Sequence, residues 1–230
     1  MWEILQDYWL IFLIGQYPHG PLGGLSLTVI MSILGLLFSF PLAVVLALGK
    51  MSKHTIISLP CRALINFIRA MPALMLIFWA YFVVPKLTGG AISGFWTMVI
   101  ALIIYTAAYM AEVIRGGIEA LPRGQTEAAH SLGSGYWLTM LRVIMPQALF
   151  NVFPGLTSLC VSIVKETSLG YIIGVTEVTF AAGQVNTMTI VKPLEVFFIL
   201  AIIYFIVCFS LTSGLNSIES HIRRKRGAKA

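Results

Sequence analysis

Charge is what this sequence has least of. Only 10% of its 230 residues are Asp, Glu, Lys or Arg, well below the roughly 25% of a soluble domain, and no Lys or Arg precedes Lys50. The first shortage excludes a water-soluble domain, because no polar stretch is long enough to enclose a core of its own. The second removes the basic region that opens a secretory signal peptide, so the N-terminus is expected to stay on the mature protein. Cysteine is scarce too. Cys61, Cys160 and Cys208 stand singly in apolar segments with no CxxC and no neighbouring His, which indicates neither a disulfide framework nor a metal site and leaves them as packing residues. No paired-carboxylate motif occurs, and His19, His54, His130 and His221 fall near segment boundaries or in loops. A membrane-embedded hydrolase or transferase therefore lacks its convergent groups.

What fills the chain is hydrocarbon: 58% of it is hydrophobic. Five apolar runs, 22–49, 56–86, 92–119, 148–174 and 194–220, reach the roughly 20 residues that a helix needs to cross about 30 Å of bilayer core. Helices fit these lengths and the short alternating strands of a barrel do not, so the fold class is an all-α membrane protein with five transmembrane helices. Five spans in one chain argue against a secondary carrier, whose usual sign is two repeated halves. Ahead of the spans, "MWEILQDYWLIFLIG" is too short to cross and carries Glu3 and Asp7 on one side. Residues 1–21 are thus expected to form an N-terminal interfacial helix; a frayed leader is the other reading.

The basic residues alternate by loop. Lys50, Lys53 and Arg62 follow the first span, Arg115, Arg123 and Arg142 follow the third, and the tail at 221–230, with "RRKRGAK", follows the fifth. The positive-inside rule then puts the N-terminus outside and the C-terminus in the cytoplasm. The tail reads as an anchor attracted to anionic lipid. A nucleic-acid partner is not supported, since no stripe of stacking aromatics accompanies the net charge of +6.

Some charges lie where they are costly. Arg69 follows Lys53 at a separation that would carry it about 24 Å along a straight helix, and Pro72 just beyond it predicts a kink. Two readings stand: a functional charge at the kink, or an Arg paired with a helix-end carbonyl. In "VKETSLG", residues 164–170, Lys165, Glu166, Thr167 and Ser168 gather where a helix gives way to a Gly-rich external connection. Such a break can satisfy both ends of a zwitterion; the alternative is an internal Lys–Glu pair with hydroxyl caps. Glu112 and Arg115, three apart, are expected to pair along one helix face. The connection through residue 192, broken by Gly170, Gly174 and Gly183, is apolar enough to predict a scoop-like element covered by protein.

Residues 120–147 form a long cytoplasmic connection. Two short helices are expected there, Glu127–Leu132 and Tyr136–Val143, separated by "GSG" and ended by Pro146. With Tyr136, Trp137 and Leu141 beside polar residues, the segment reads as a docking surface, or else as an amphipathic helix resting on lipid.

The spacing Glu127-Ala128-Ala129, Gly133, Pro146 resembles the EAA loop of ABC importer permeases, with Val143 and Met145 where that pattern usually has Ile and Leu. "GLSLTV", "FIRAMPALMLIFWAYF", "YMAEVIRGGIEALPRGQTEAAHSLG" and "KETSLGYIIG" are similar to the histidine, glutamate, glutamine, arginine and opine branch, and together cover residues 22–215. The resemblance implies a type I ABC importer transmembrane subunit, with a permease domain at 22–220 that pairs with a second permease subunit, a copy or a paralogue. Two copies of an ABC ATPase subunit and a periplasmic amino-acid-binding protein complete the complex in a bacterial inner membrane. It implies no cofactor in this chain, which has no Walker motif; ATP and Mg would be bound by the partner ATPase, and transport would proceed by alternating access. By the same resemblance Glu127, Ala128, Ala129, Gly133, Tyr136 and Trp137 are expected to contact the ATPase. Arg69, Lys165, Glu166, Thr167 and Ser168 are expected along the solute pathway, with Arg69 for a carboxylate and Glu166 for an α-ammonium. Glutamate or aspartate is the first expectation for the solute; glutamine or a basic amino acid would use much the same groups.

Overall fold

The fold was obtained as a computed structural model, which describes residues 1–90, 92–189 and 192–227. Helix α1 (Trp2–Ile14) leads into α2 (Gly24–Met51), α3 (Thr55–Ala70), α4 (Ala73–Phe78) and α5 (Val84–Thr88), the last two joined by a π-helical turn, Trp79–Val83. Then come α6 (Gly94–Glu119), α7 (Arg123–Ser131), α8 (Tyr136–Thr139), α9 (Met145–Glu166), α10 (Val178–Thr189) and α11 (Pro193–Gly227). Residues 190–191 of the Gly-rich connection and 228–230 of the basic tail lie outside the described residues.

Among the described residues, four helical stretches are long and apolar enough to cross a membrane: α2, α6, Tyr136–Ile173 and the Pro193–His221 part of α11. The bent pair Thr55–Ala70 with Ala73–Leu87, at 109°, makes a fifth where it crosses as one broken span. Pro72 causes the break. It forces Met71 into the extended region (φ −101°, ψ 144°), as the residue before a proline must be.

Helix α6 is the centre, packed against α2, α3 and α9. In its most apolar stretch 61% of the residues are buried, against 11% in α11, so α6 is the inner helix and α11 presents most of its surface outward. Small residues let α6 and α9 approach closely: a Cβ on Gly117 would fall 2.1 Å from Val152 Cγ1, and one on Gly155 would fall 2.6 Å from Val113 Cγ1. Such close backbone approach is how helices gain packing energy where no hydrophobic driving force acts between them. One core cluster at the end bearing α7 includes Ala47, Ile65, Ala111 and Ile144. A second, at the other end, includes Met31, Ile77, Met98 and Ile163. Cys61 packs on the first and Cys208 on the second.

Pro146 does not end the second short helix, contrary to the sequence expectation. Helix α8 passes through a π-helical turn, Met140–Ile144, directly into α9, with proline in the first turn of α9. The Met145 N–H donates to the Met140 carbonyl, a five-residue step. Widening the helix there gives the pyrrolidine ring the room it would otherwise contest with the preceding turn.

The connection between α9 and α11 packs against the body of the subunit, as its composition predicts. After α9 the chain tightens into a 3-10 turn, Thr167–Ile173, and Gly174 (φ 76°) reverses it. Helix α10 then buries Val178, Ala182 and Val185 in a third cluster with Ile4 and Phe12 of α1 and Val196 and Ile199 of α11.

Candidate functional site

The chain between α6 and α9 carries the first candidate surface. Helix α7 ends in a Schellman cap, with the Gly133 N–H donating to the His130 carbonyl (2.9 Å) and the Ser134 N–H to the Ala129 carbonyl (3.1 Å). The cap requires a left-handed residue, and Gly133 supplies it at φ 78°. Beyond this turn Leu132, Tyr136, Trp137 and Leu141 are exposed, at 87%, 46%, 63% and 61%. The Tyr136 and Trp137 rings meet edge to face with centroids 5.4 Å apart. A contiguous exposed set of large apolar side chains marks an interaction surface. Glu127 and Ala128 are exposed on the neighbouring helix, whereas Ala129 is buried. Beneath them lies an open cavity of about 520 Å³, lined by Met51, Glu119, Arg123, His130 and Tyr136 among others.

The second candidate is a cleft of about 100 Å³ between α6 and α9, lined by Tyr105, Thr106, Tyr109, Leu159, Ser162 and Glu166. The two tyrosines, one helical turn apart, meet at a tilt of 44° with centroids at 4.9 Å and hydroxyl oxygens 3.4 Å apart. Arg69 meets the pair at Tyr109 and is not among the residues that line the cleft. Its guanidinium carbon is 5.3 Å from the centre of the Tyr109 ring, and the Tyr109 hydroxyl donates to the Arg69 carbonyl at 3.4 Å. The arginine thus uses both the ring and the carbonyl at the end of α3.

Of the expected pathway residues, Arg69 and Glu166 are brought to the same pair of tyrosines and the others are not. Lys165 is exposed, next to the cleft residue in sequence but outside the lining. Thr167 is fully buried, and its hydroxyl donates to the Val164 carbonyl at 2.7 Å. The Ser168 hydroxyl donates to the Lys165 carbonyl at 2.6 Å. Both hydroxyls close the last turn of α9, a common local bond for such residues.

Glu112 and Arg115 pair along α6, by Nε at 3.0 Å and Nη2 at 2.9 Å. The pair is part of a larger cluster: Lys50 at the end of α2 donates to the same carboxylate, Arg69 Nη1 lies 3.8 Å from it, and Arg115 Nη1 reaches Glu119 at 2.5 Å. Sequence reading did not single out Tyr105, Tyr109 or this use of Lys50. The signal for the first two was the heptad-like spacing 105, 109, 112, which lays two phenols and an acid on one face of a hydrophobic helix.

Glu177 is a further buried acid that the sequence reading passed over. It is fully buried and accepts from the Thr179 and Phe180 N–H groups, both at 2.9 Å, at the start of α10, and from the Tyr204 hydroxyl at 3.2 Å. Burial raises its carboxyl to about 7, against the opposing pull of the two N–H bonds. An acid immediately before an apolar helical run was the available signal.

Residues 39–224 match the family described as "Binding-protein-dependent transport system inner membrane component", and the chain belongs to that family. It is 36% identical over 208 residues to the inner membrane amino-acid ABC transporter permease protein YhdY of Escherichia coli (strain K12), covering 89% of this chain and 57% of that one. It is 33% identical over 210 residues to the glutamate/glutamine/aspartate/asparagine transport system permease protein BztC of Rhodobacter capsulatus, covering 88% and 48%. The chain thus spans about half the length of these two relatives. Its fold matches a crystal structure of an amino acid ABC transporter with histidines, with a TM-score of 0.79 and 33% identity over 86% of this chain and 92% of that one.

Proposed function

We propose that this chain is the permease subunit of an ATP-driven importer for a polar amino acid, with glutamate or aspartate as the preferred solute. The observation that carries this reading is that Glu166 and Arg69 both meet the Tyr105–Tyr109 pair, Glu166 in the cleft lining and Arg69 at the Tyr109 ring. An acid for an ammonium and a guanidinium for a carboxylate are the two partners that a zwitterion needs. The cationic surplus around Glu112, with Lys50, Arg69 and Arg115 on one acid, favours a solute of net negative charge. The similarity to BztC, a glutamate/glutamine/aspartate/asparagine transport system permease protein, supports the same class.

In this reading the chain sits in a bacterial inner membrane with residues 1–21 at the outer interface, the permease domain at 22–220 and the tail at 221–230 in the cytoplasm. It pairs with a second permease subunit, two ATPase copies that bind ATP and Mg, and a periplasmic binding protein. Glu127, Ala128, Gly133, Tyr136 and Trp137 meet the ATPase, and Ala129, turned inward, holds α7 against the body of the subunit. Rigid-body rocking of the paired subunits then exposes the cleft to each side in turn.

The test is reconstitution of the complex in proteoliposomes, with uptake of radiolabelled glutamate and competition by unlabelled amino acids. Glu166→Gln is expected to abolish uptake while the ATPase still co-purifies. Wild-type uptake by that variant overturns the cleft assignment. Competition by glutamine or arginine but not by aspartate overturns the acidic preference and leaves the amino acid class standing.

A further inference from the structure

We infer that Arg69 and Glu112 form a solute-responsive latch: Arg69 exchanges Glu112 for the carboxylate of the solute, and Glu112, a positioning residue, holds the guanidinium until then. This rests on the importer reading above.

The cluster is unequal in a way that suits exchange. Glu112 is well shielded, with its side chain 13% exposed, and is held by Lys50 from α2 and by two nitrogens of Arg115. Arg69 is the loose member, 3.8 Å from the carboxylate and 40% exposed. That separation is too long for a hydrogen bond. A carboxylate arriving along the Tyr109 ring would offer the guanidinium two short parallel bonds, a stronger arrangement than the one it leaves. Losing Arg69 would not strand Glu112, since Lys50 and Arg115 remain on it. The usual penalty for breaking a shielded ion pair, an uncompensated charge, is therefore avoided.

The exchange also has somewhere to go. Arg69 is the penultimate residue of α3, one turn before the 109° break at Pro72, so its partner choice sets whether the end of α3 is held against α6. From Glu112 the contacts continue through Arg115 to Glu119, which lines the cavity beneath α7. Tyr105, Tyr109, Glu112, Arg115 and Glu119 thus form a polar row along α6, bridged between Tyr109 and Glu112 by Arg69, from the solute cleft to the proposed ATPase-contacting loop.

The test uses the complete complex with its ATPase and binding protein in proteoliposomes, measuring ATP hydrolysis without solute, hydrolysis with solute, and the half-saturating solute concentration for uptake. Glu112→Gln removes the competitor for Arg69, so it is expected to raise solute-free hydrolysis about fivefold or more and to lower the half-saturating concentration by a similar factor, at the lower end of allosteric couplings. Arg69→Gln is expected to raise solute-free hydrolysis likewise and to abolish uptake. Should Glu112→Gln fail to assemble, Glu112→Asp keeps the charge for Lys50 and Arg115 but shortens the reach toward Arg69, and the same two shifts are expected in smaller measure. Loss of uptake in Arg69→Gln with solute-free hydrolysis at the wild-type level overturns the latch and leaves the importer reading intact. Wild-type uptake in both Arg69→Gln and Glu166→Gln overturns the importer site itself.

Discussion

Replacing Gly133 in turn by asparagine, alanine and valine separates backbone conformation from side-chain size at the end of α7. The residue sits at φ 78°, where an L-amino acid with a Cβ costs about 1–2 kcal/mol, asparagine less because its amide bonds locally, and a β-branched residue most. Space is not the obstacle, since a Cβ built on Gly133 meets nothing within 4 Å. A cost of about 1–2 kcal/mol shifts the balance between the formed and frayed Schellman turn by a factor of roughly 5–30. That turn holds the two hydrogen bonds that end α7 and aims the chain at Tyr136 and Trp137. The assay is solute uptake per ATP hydrolysed in proteoliposomes. The expected order is glycine, then asparagine, then alanine, with valine least, so the larger asparagine outperforms the smaller alanine. If the ATPase instead excluded bulk at this point, alanine would outperform asparagine. That inversion, or equal ratios in all four proteins, would refute the backbone argument.

Glu177 makes the stability of the α10 cap depend on pH. Its carboxyl is raised from 4.5 to about 7 by burial, so its contribution is fully present below pH 4.5 and is lost as pH rises through 7, by about 3 kcal/mol in total. The thermal midpoint in detergent is expected to be higher at pH 5 than at pH 8, and Glu177→Gln to flatten that difference; an identical pH profile in the variant rules this out. Gly23→Ala should destabilise the contact between the start of α2 and the α10 turn, because the new Cβ would lie 2.5 Å from the Thr176 carbonyl oxygen, an overpacking of about 1–3 kcal/mol. A melting temperature equal to wild type would show that the backbone relaxes freely there. Cysteines placed singly within residues 1–20 are expected to react with an impermeant reagent added outside intact cells, and those within 221–230 to be protected; the opposite pattern reverses the orientation.

Span lengths were legible because the bilayer imposes them. The apolar runs at 22–49, 92–119 and 194–220 became Gly24–Met51, Gly94–Glu119 and the Pro193–His221 stretch, since a helix must keep about 20 apolar residues in hydrocarbon whatever it packs against. Pro72 as a break was legible for a similarly local reason, the clash it makes with the residue before it. Pro146 was misread because a proline can end a helix or be accommodated by a wider turn, and the choice depends on whether tertiary packing holds the two sides in line. Here Met140 and Ile144 are buried in the same cluster as Ala148, which keeps α8 and α9 continuous.

The site divides along the same line between local and long-range causes. Glu112 with Arg115 was readable at three residues' spacing, but the roles of Lys50 and Arg69 depend on how α2 and α3 lean on α6, which no local pattern encodes. Thr167 and Ser168 have local partners instead, the Val164 and Lys165 carbonyls. Hydroxyls in apolar helices regularly bond the carbonyl one turn back, and eleven residues earlier the Thr157 hydroxyl donates to the Phe153 carbonyl in the same helix. Given that habit, the polar atoms of "KETSLG" free to meet a solute reduce to the charged ones. Of these only Glu166 enters the cleft. The most buried spanning helix is also the one that carries the polar row from Tyr105 to Glu119. Desolvating that row on the inside of the subunit is tolerable only because each member pairs with the next or with a neighbouring helix. A chain with so few charges has placed four of them, Lys50, Arg69, Glu112 and Arg115, at one junction of three helices, where any rearrangement of those helices must re-pair them.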